Sequence, residues 1–162
     1  MMMTAVARSR DGQLRNEVDV NGRHLIVTDE PERLGGTDAG PAPHELMAAM
    51  LASCVSTMVT TYARARDWKL PEIRVEVAYD AESTPRHVDL CVHLPAGLTA
   101  DQVKRLKRVV DTCPAKRSLE AGFTFDEQLI VGHTEPDATS SRAMSKPAPA
   151  SSSKPPASCY IG

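Results

Sequence analysis

Residues 44–63 read HELMAAMLASCVSTMVTTYA, and the fold turns on this run. From Leu46 to Ala63 it carries no charge. One helical face shows Leu46, Met50, Ser53, Cys54, Thr57 and Thr61, and the other shows Met47, Leu51, Val55, Val59 and Tyr62. A helix without a charged face is expected to be buried all round. Pro43 suits a first helical position, where its missing N–H costs nothing, and the helix is predicted to continue to about Asp67, before Leu70-Pro71. A membrane span is marginal at this length. Ser53, Ser56, Thr57, Thr60, Thr61 and the many alanines favour a helix buried in a dimer core instead.

Downstream, residues 103–114 read VKRLKRVVDTCP. The preceding Thr99-Ala-Asp-Gln102 fits a capping box, in which cap and third helical residue satisfy each other's backbone donors. The helix it opens places Val103, Leu106, Val109, Val110 and Cys113 on one face, so Cys113 points to the core. Pro114 ends it and opens a short helix closing near Gly122.

Upstream, Thr4–Ser9, Leu14–Val20 and His24–Thr28 are predicted strands of a β-meander. They are joined at Asp11-Gly12 and Asn21-Gly22, pairs favoured in type I′ turns because both central residues need positive φ. Asp29 to Ala42 is a Gly- and Pro-rich loop. Ile73–Tyr79 and Val88–Leu94 alternate apolar and polar residues, as half-buried antiparallel strands do. Cys91 falls on the polar face of its strand. Phe123–Val131 is predicted to be a final strand. Residues 1–132 thus form one domain, and 133–162 a tail of Ser, Pro, Ala and Lys, expected to be disordered for want of apolar surface.

Composition narrows the function classes. A net charge of −2 gives no reason to expect nucleic acid or an anionic membrane as partner, and 4% aromatic residues argue against a base-stacking surface. With few large side chains, the core of this 162-residue chain would gain from a second copy. The N-terminus has no apolar stretch fit for a signal peptide, so a cytoplasmic location is expected, where thiols are kept reduced. Cys54, Cys91, Cys113 and Cys159 then do not read as a disulfide framework. None forms a C-x-x-C pair, and no metal-ligand spacing, phosphate loop or Ser-His-Asp ordering stands out. Cys159 lies four from the end, where Gly162 does not complete a usual prenylation signal.

A thiol in the middle of an apolar helix, with a second available to pair, points to redox chemistry. A free thiol is mostly protonated at neutral pH, and burial raises its pKa further. Cys54 lies beyond the reach of its helix N-terminus, so as a nucleophile it needs a cation. Arg8, Arg10, Arg15 and Arg23 of the meander are the candidates. Cys113 has a local advantage, because the helix opening at Pro114 offers N-terminal amides. Structural filling is the competing reading of either cysteine. The helix dipole alone explains Glu45, and a solvated first-turn residue explains His44.

The segment GGTDAGPAPHELMAAMLASCVSTMVTTYARARDWKLPEIRVEV (residues 35–77) resembles the OsmC/Ohr family, the osmotically inducible and organic-hydroperoxide-resistance proteins, in its OsmC-like branch. TCPAKRSLE (residues 112–120) resembles that family's second-cysteine motif. The resemblance covers roughly residues 5–132. It implies an α+β, OsmC-like fold: antiparallel sheets wrapped around a long central buried helix, in an intertwined homodimer. It implies a thiol-dependent peroxidase of oxidative stress defence. Cys54 would be the peroxidatic thiol and Cys113 the resolving one, passing through a Cys54 sulfenic acid to a Cys54–Cys113 disulfide. No bound cofactor is implied. The partners are an organic hydroperoxide and an external dithiol reductant such as a lipoyl group. The family places an Arg and a Glu beside the reactive Cys. Arg10 of RSRDG matches the Arg, with Arg15 a competitor. His44 falls where the family has its Glu, leaving Glu45 as its neighbour. That departure supports the alternative of a non-peroxidase, thiol-based redox-sensing or small-ligand-binding protein.

Overall fold

The structure, a computed structural model, describes residues 3–131. The chain divides into two units, Met1–Thr124 and Phe125–Gly162. The first holds every helix and strand among the described residues: β1 (Ala5–Ser9), β2 (Asn16–Val20), β3 (His24–Thr28), a 3-10 turn at Glu32–Leu34, α1 (Glu45–Arg64), β4 (Arg74–Asp80), β5 (His87–His93), α2 (Ala100–Asp111) and α3 (Pro114–Ala121). The class is α+β, as expected, with two small antiparallel sheets.

Both sheets follow from local chemistry. β1, β2 and β3 form a meander in that order, with Ala5 opposite Val20 and Val20 opposite His24. Asp11 and Gly12 have φ of 54° and 70°, and Asn21 and Gly22 of 56° and 64°. The Arg23 N–H donates to the Val20 carbonyl and Gln13 to Arg10, so both connections carry the type I′ geometry. β4 and β5 make a second antiparallel pair, with Val75 opposite Val92 and Val77 opposite Leu90. Their even alternation of half-buried and exposed residues is the period of a sheet covered on one face.

The covering elements are helices. α1 packs against β4, α2 and α3. Leu51, Val55 and Val59, four apart on α1, meet Leu106, Val109 and Cys113 in the core, and the inner residues of β4 and β5 lie against this cluster. Each fully buried Leu or Val contributes on the order of 1.5–3 kcal/mol. α2 begins with the predicted capping box: Thr99 Oγ1 accepts from the Gln102 N–H at 3.2 Å, and Gln102 Oε1 from the Thr99 N–H at 2.8 Å.

The loop leading into α1 is organised by a buried carboxylate. Asp29 accepts from the Thr37 hydroxyl at 2.6 Å and from the N–H groups of Thr37, Ala39 and Glu30. These donors, the Thr37 hydroxyl foremost, lower its pKa to about 2. Gly36 sits so close to the backbone that a Cβ there would run into the Glu30 carbonyl.

Four expectations need correction. α1 is not buried all round in the single chain: Met50 is 44% exposed, and Ser53, Thr57, Thr60 and Thr61 also face outward. One chain has elements enough to cover only the Leu51–Val55–Val59 side. α1 runs Glu45–Arg64, not Pro43 to Asp67. Pro43 and His44 form a turn before it, and Asp67, with φ of 54°, lies past its end. Val103 is 43% exposed rather than core, because the first turn of α2 extends beyond the cluster that Leu106 and Val109 reach. Phe123–Val131 forms no strand, and Leu129 and Val131 are 96% and 97% exposed. β-propensity alone does not make a strand, since the backbone groups need a neighbouring ladder. The predicted tail at 133–162, with Cys159, lies outside the described residues.

Among the described residues α1 is the one helix long and apolar enough to cross a membrane. Here Leu51, Val55, Val59 and Ala63 lie buried on one side of it.

Candidate functional site

Cys54 is the tenth residue of α1, one position before the buried Val55. Half-buried, it sits between the core stripe and the exposed strip of Met50, Ser53 and Thr57. Cys113 follows α2 and is fully buried. It is the N-cap residue of α3, and its extended backbone (φ −55°, ψ 123°) turns the chain between the two helices. Its carbonyl accepts the first bond of α3, from the Arg117 N–H at 3.0 Å.

These turns bring together two side chains 59 positions apart. The Cys113 Sγ–H donates to Cys54 Sγ at 3.2 Å. A disulfide requires about 2.05 Å, so the sulfurs need approach by only about 1 Å to bond. Cys54, Cys91 and Cys113 are all free thiols.

A second group reaches Cys54 that the sequence did not assign to it. The Ala115 backbone N–H, in the first turn of α3, acts to lower the Cys54 pKa. This α3 amide therefore acts on Cys54, across the helix junction. The proline signal was visible in the sequence, but its beneficiary depended on the packing of α3 on α1. Opposed to this help is burial, the largest influence, which pushes the Cys54 thiol up, and the neighbouring Cys113 thiol adds in the same direction.

The other two site candidates lie elsewhere. Glu45 opens α1, where its Oε2 accepts from the Ala42 N–H at 2.9 Å. Nine residues separate it from Cys54, about 13 Å along a helix axis. His44, before it, has its ring edge-on to Tyr79 at 6.3 Å. Arg10 lies in the β1–β2 turn and is exposed, and Arg15 pairs with Glu17 at 3.2 Å. No hydrogen bond or ion pair among the described residues joins an arginine to either cysteine. In one chain the thiol pair stands together and the charged candidates stand apart.

Two grooves flank the helices. One, about 490 Å³, is lined by Met47, Leu51, Tyr79, Leu90, Leu119 and Phe123. Another, about 480 Å³, runs between β5 and α2 past Val92, Val103 and Val110. Neither is lined by Cys54 or Cys113; the exposed surface beside Cys54 is the Met50, Ser53 and Thr57 strip of α1.

A family model described as OsmC-like protein matches residues 36–128. Solved structures share the fold. An osmotic stress induced and detoxification response protein from Psychrobacter arcticus is 25% identical, with a TM-score of 0.61 over 72% of this chain and 88% of that one. An organic hydroperoxide resistance protein OsmC from Legionella pneumophila is 22% identical, with a TM-score of 0.54 over 72% and 88%. An OsmC-like protein from Mycoplasma pneumoniae is 17% identical, with a TM-score of 0.56 over 74% and 86%. No curated protein matches the chain.

Proposed function

Because this chain belongs to the OsmC-like protein family, we propose that it reduces organic hydroperoxides, with Cys54 as nucleophile and Cys113 as resolving thiol. The observation that carries this reading is the 3.2 Å contact from the Cys113 thiol to Cys54 Sγ. The names of the Legionella relative and of an organic hydroperoxide resistance protein from Elizabethkingia anophelis point to the same chemistry.

The Cys54 thiolate attacks the outer peroxide oxygen. An S–O bond forms, the O–O bond breaks, and the leaving alkoxide takes a proton to become the alcohol. Cys54 is then a sulfenic acid. Cys113 attacks its sulfur, the S–S bond forms, and the hydroxyl leaves as water with the Cys113 proton. An external dithiol, such as a lipoyl group in a reducing cytoplasm, reduces the disulfide by exchange and is itself oxidised. Hydrogen bonding from the Ala115 N–H stabilises the attacking thiolate.

The reading includes a homodimer. The strip around Met50 is uncharged and exposed, and a second copy covering it would give Cys54 an apolar substrate pocket and bring a cation, Arg10 or Arg15, within reach of the sulfur. The exposed segment 123–131 would find its ladder in the same assembly.

Stopped-flow oxidation of the reduced protein by cumene hydroperoxide and by hydrogen peroxide tests the reading. Rapid oxidation that favours the organic peroxide and vanishes in Cys54→Ser is expected. Slow oxidation by both would overturn it in favour of the second reading, a thiol-based sensor or ligand-binding protein. Two features favour that alternative: burial raises the Cys54 thiol, and His44 stands where the family has its Glu.

A further inference from the structure

The outer face of the β4–β5 hairpin carries donors that the thiol pair does not use. The two-residue period of a strand sends His87, Asp89, Cys91 and His93 of β5 to one exposed face. Antiparallel register then sets Glu76 of β4 directly opposite Cys91, and Arg74 opposite His93. The His93 Nε2 lies 3.5 Å from Cys91 Sγ and 3.1 Å from Glu76 Oε2. All three ligand atoms fall within 4.8 Å of one another.

The S···N and N···O separations fit a tetrahedral ion. Zinc bonds to sulfur at about 2.3 Å and to imidazole nitrogen and carboxylate oxygen at about 2.0–2.1 Å. At tetrahedral angles these lengths imply ligand–ligand edges of about 3.6 Å for S···N and about 3.3 Å for N···O. The nitrogen contacts both a thiol and a carboxylate. A neutral imidazole Nε2 holds at most one proton, and that proton cannot serve the sulfur and the carboxylate equally. An ion set between the three atoms satisfies all of them.

We propose that Glu76, Cys91 and His93 form a surface site for a divalent transition metal, zinc in the first place. A thiolate, an imidazole and a carboxylate suit zinc rather than magnesium or calcium, which prefer oxygen alone. One thiolate and one carboxylate balance the two positive charges. On binding, the S–metal bond replaces the S–H bond of Cys91, and the proton leaves to solvent. Arg74 holds the other carboxylate oxygen, Oε1, so it fixes the plane of Glu76 while leaving Oε2 for the ion. Three protein ligands leave a fourth position for water. The site is invisible to a search for C-x-x-C spacing, because one ligand comes from the neighbouring strand and the other two alternate along theirs. The trace it leaves in the sequence is the period-two string His87-x-Asp89-x-Cys91-x-His93.

Cobalt(II) is the probe, because thiolate ligation gives it a charge-transfer band in the near ultraviolet. The reduced full-length chain is titrated without oxygen, then zinc is added. One cobalt per chain with the band, displaced by one equivalent of zinc, is expected. The band should persist in a Cys54→Ser, Cys113→Ser, Cys159→Ser triple variant and vanish in Cys91→Ser. His93→Ala and Glu76→Gln should each weaken binding by at least about tenfold. All these substitutions on the hairpin are at exposed positions, and far-ultraviolet circular dichroism verifies that each variant is folded. Absence of a band in the wild-type chain, its loss in the triple variant, or unchanged affinity in His93→Ala would each overturn the proposal.

Discussion

Cys54 and Cys91 lie on opposite sides of the β4–β5 hairpin, and their surroundings are opposites too. On the inner side, Cys54 borders Leu51, Val55 and the core, with a second thiol and a backbone N–H as its polar neighbours. On the outer side, Cys91 is exposed beside an imidazole and a carboxylate. Identical side chains are thereby directed to different chemistry. A thiol that meets a thiol at the edge of an apolar core is set for sulfur–sulfur bonding, whereas a thiol among nitrogen and oxygen donors in water is set for metal ligation. Neighbours and hydration decide between these outcomes, and the cysteine itself does not.

Breaking the inner side should have the largest effect. Cys54→Ser is expected to lower peroxide turnover on the order of 10³-fold or more, as loss of a nucleophile does. Cys113→Ser should still allow the first oxidation but stop at the sulfenic acid, which a dimedone adduct at Cys54 would reveal. If Cys113→Ser forms an intramolecular disulfide all the same, Cys113 is not the resolving thiol.

Core packing around the pair comes next. Leu106→Ala, at a buried position beside Cys113, is expected to cost about 2–5 kcal/mol in urea unfolding. Val103→Ala, one turn away and half exposed, should cost under about 1 kcal/mol. Similar values for both would mean that α2 presents a different face from the one described.

Acid and alkali sharpen the comparison further. Asp29 has its folded pKa lowered to about 2, below the unfolded carboxylate at about 3.9. Its contribution is therefore present above the unfolded value and lost as pH falls towards 2. Asp29→Asn should flatten that acid limb of a melting-temperature profile. Cys54 is shifted the other way, raised chiefly by burial. Its stabilising effect is complete below the unfolded thiol pKa and is lost as pH rises through the folded one. In the monomeric chain, iodoacetamide labelling of Cys54 should accordingly have a midpoint above about 8.5. A midpoint well below that would show a cation acting on the sulfur, as the dimer would supply.

The smallest effect belongs to the outer face. Cys91→Ser should change stability by no more than about 0.5 kcal/mol without metal, since the side chain is exposed. Under native conditions Cys91 should label faster than Cys54, and Cys113 slowest of the three, in order of exposure. A reversed order would exchange the two environments.

What the sequence disclosed and withheld follows from the range of the interactions. Asp11-Gly12, Asn21-Gly22 and the Thr99–Gln102 box are local, each specified within four residues, and all three formed as read. The alternation in β4 and β5 was equally legible because period two reports one covered face. Contact between Cys54 and Cys113 spans 59 positions and was reached through family resemblance, not periodicity. The Ala115 amide at Cys54, the half-covered α1 and the missing strand at 123–131 depend on which elements meet. In each case the residues stated a tendency, and the partner that would satisfy it was not local. Glu76 with Cys91 and His93 is the same lesson on the outer face.

The most direct test is peptide mapping of the reduced wild-type chain after one equivalent of cumene hydroperoxide. The account predicts a Cys54–Cys113 disulfide with Cys91 still a thiol. Oxidation concentrated at the exposed Cys91, with Cys54 and Cys113 both left reduced, would contradict it.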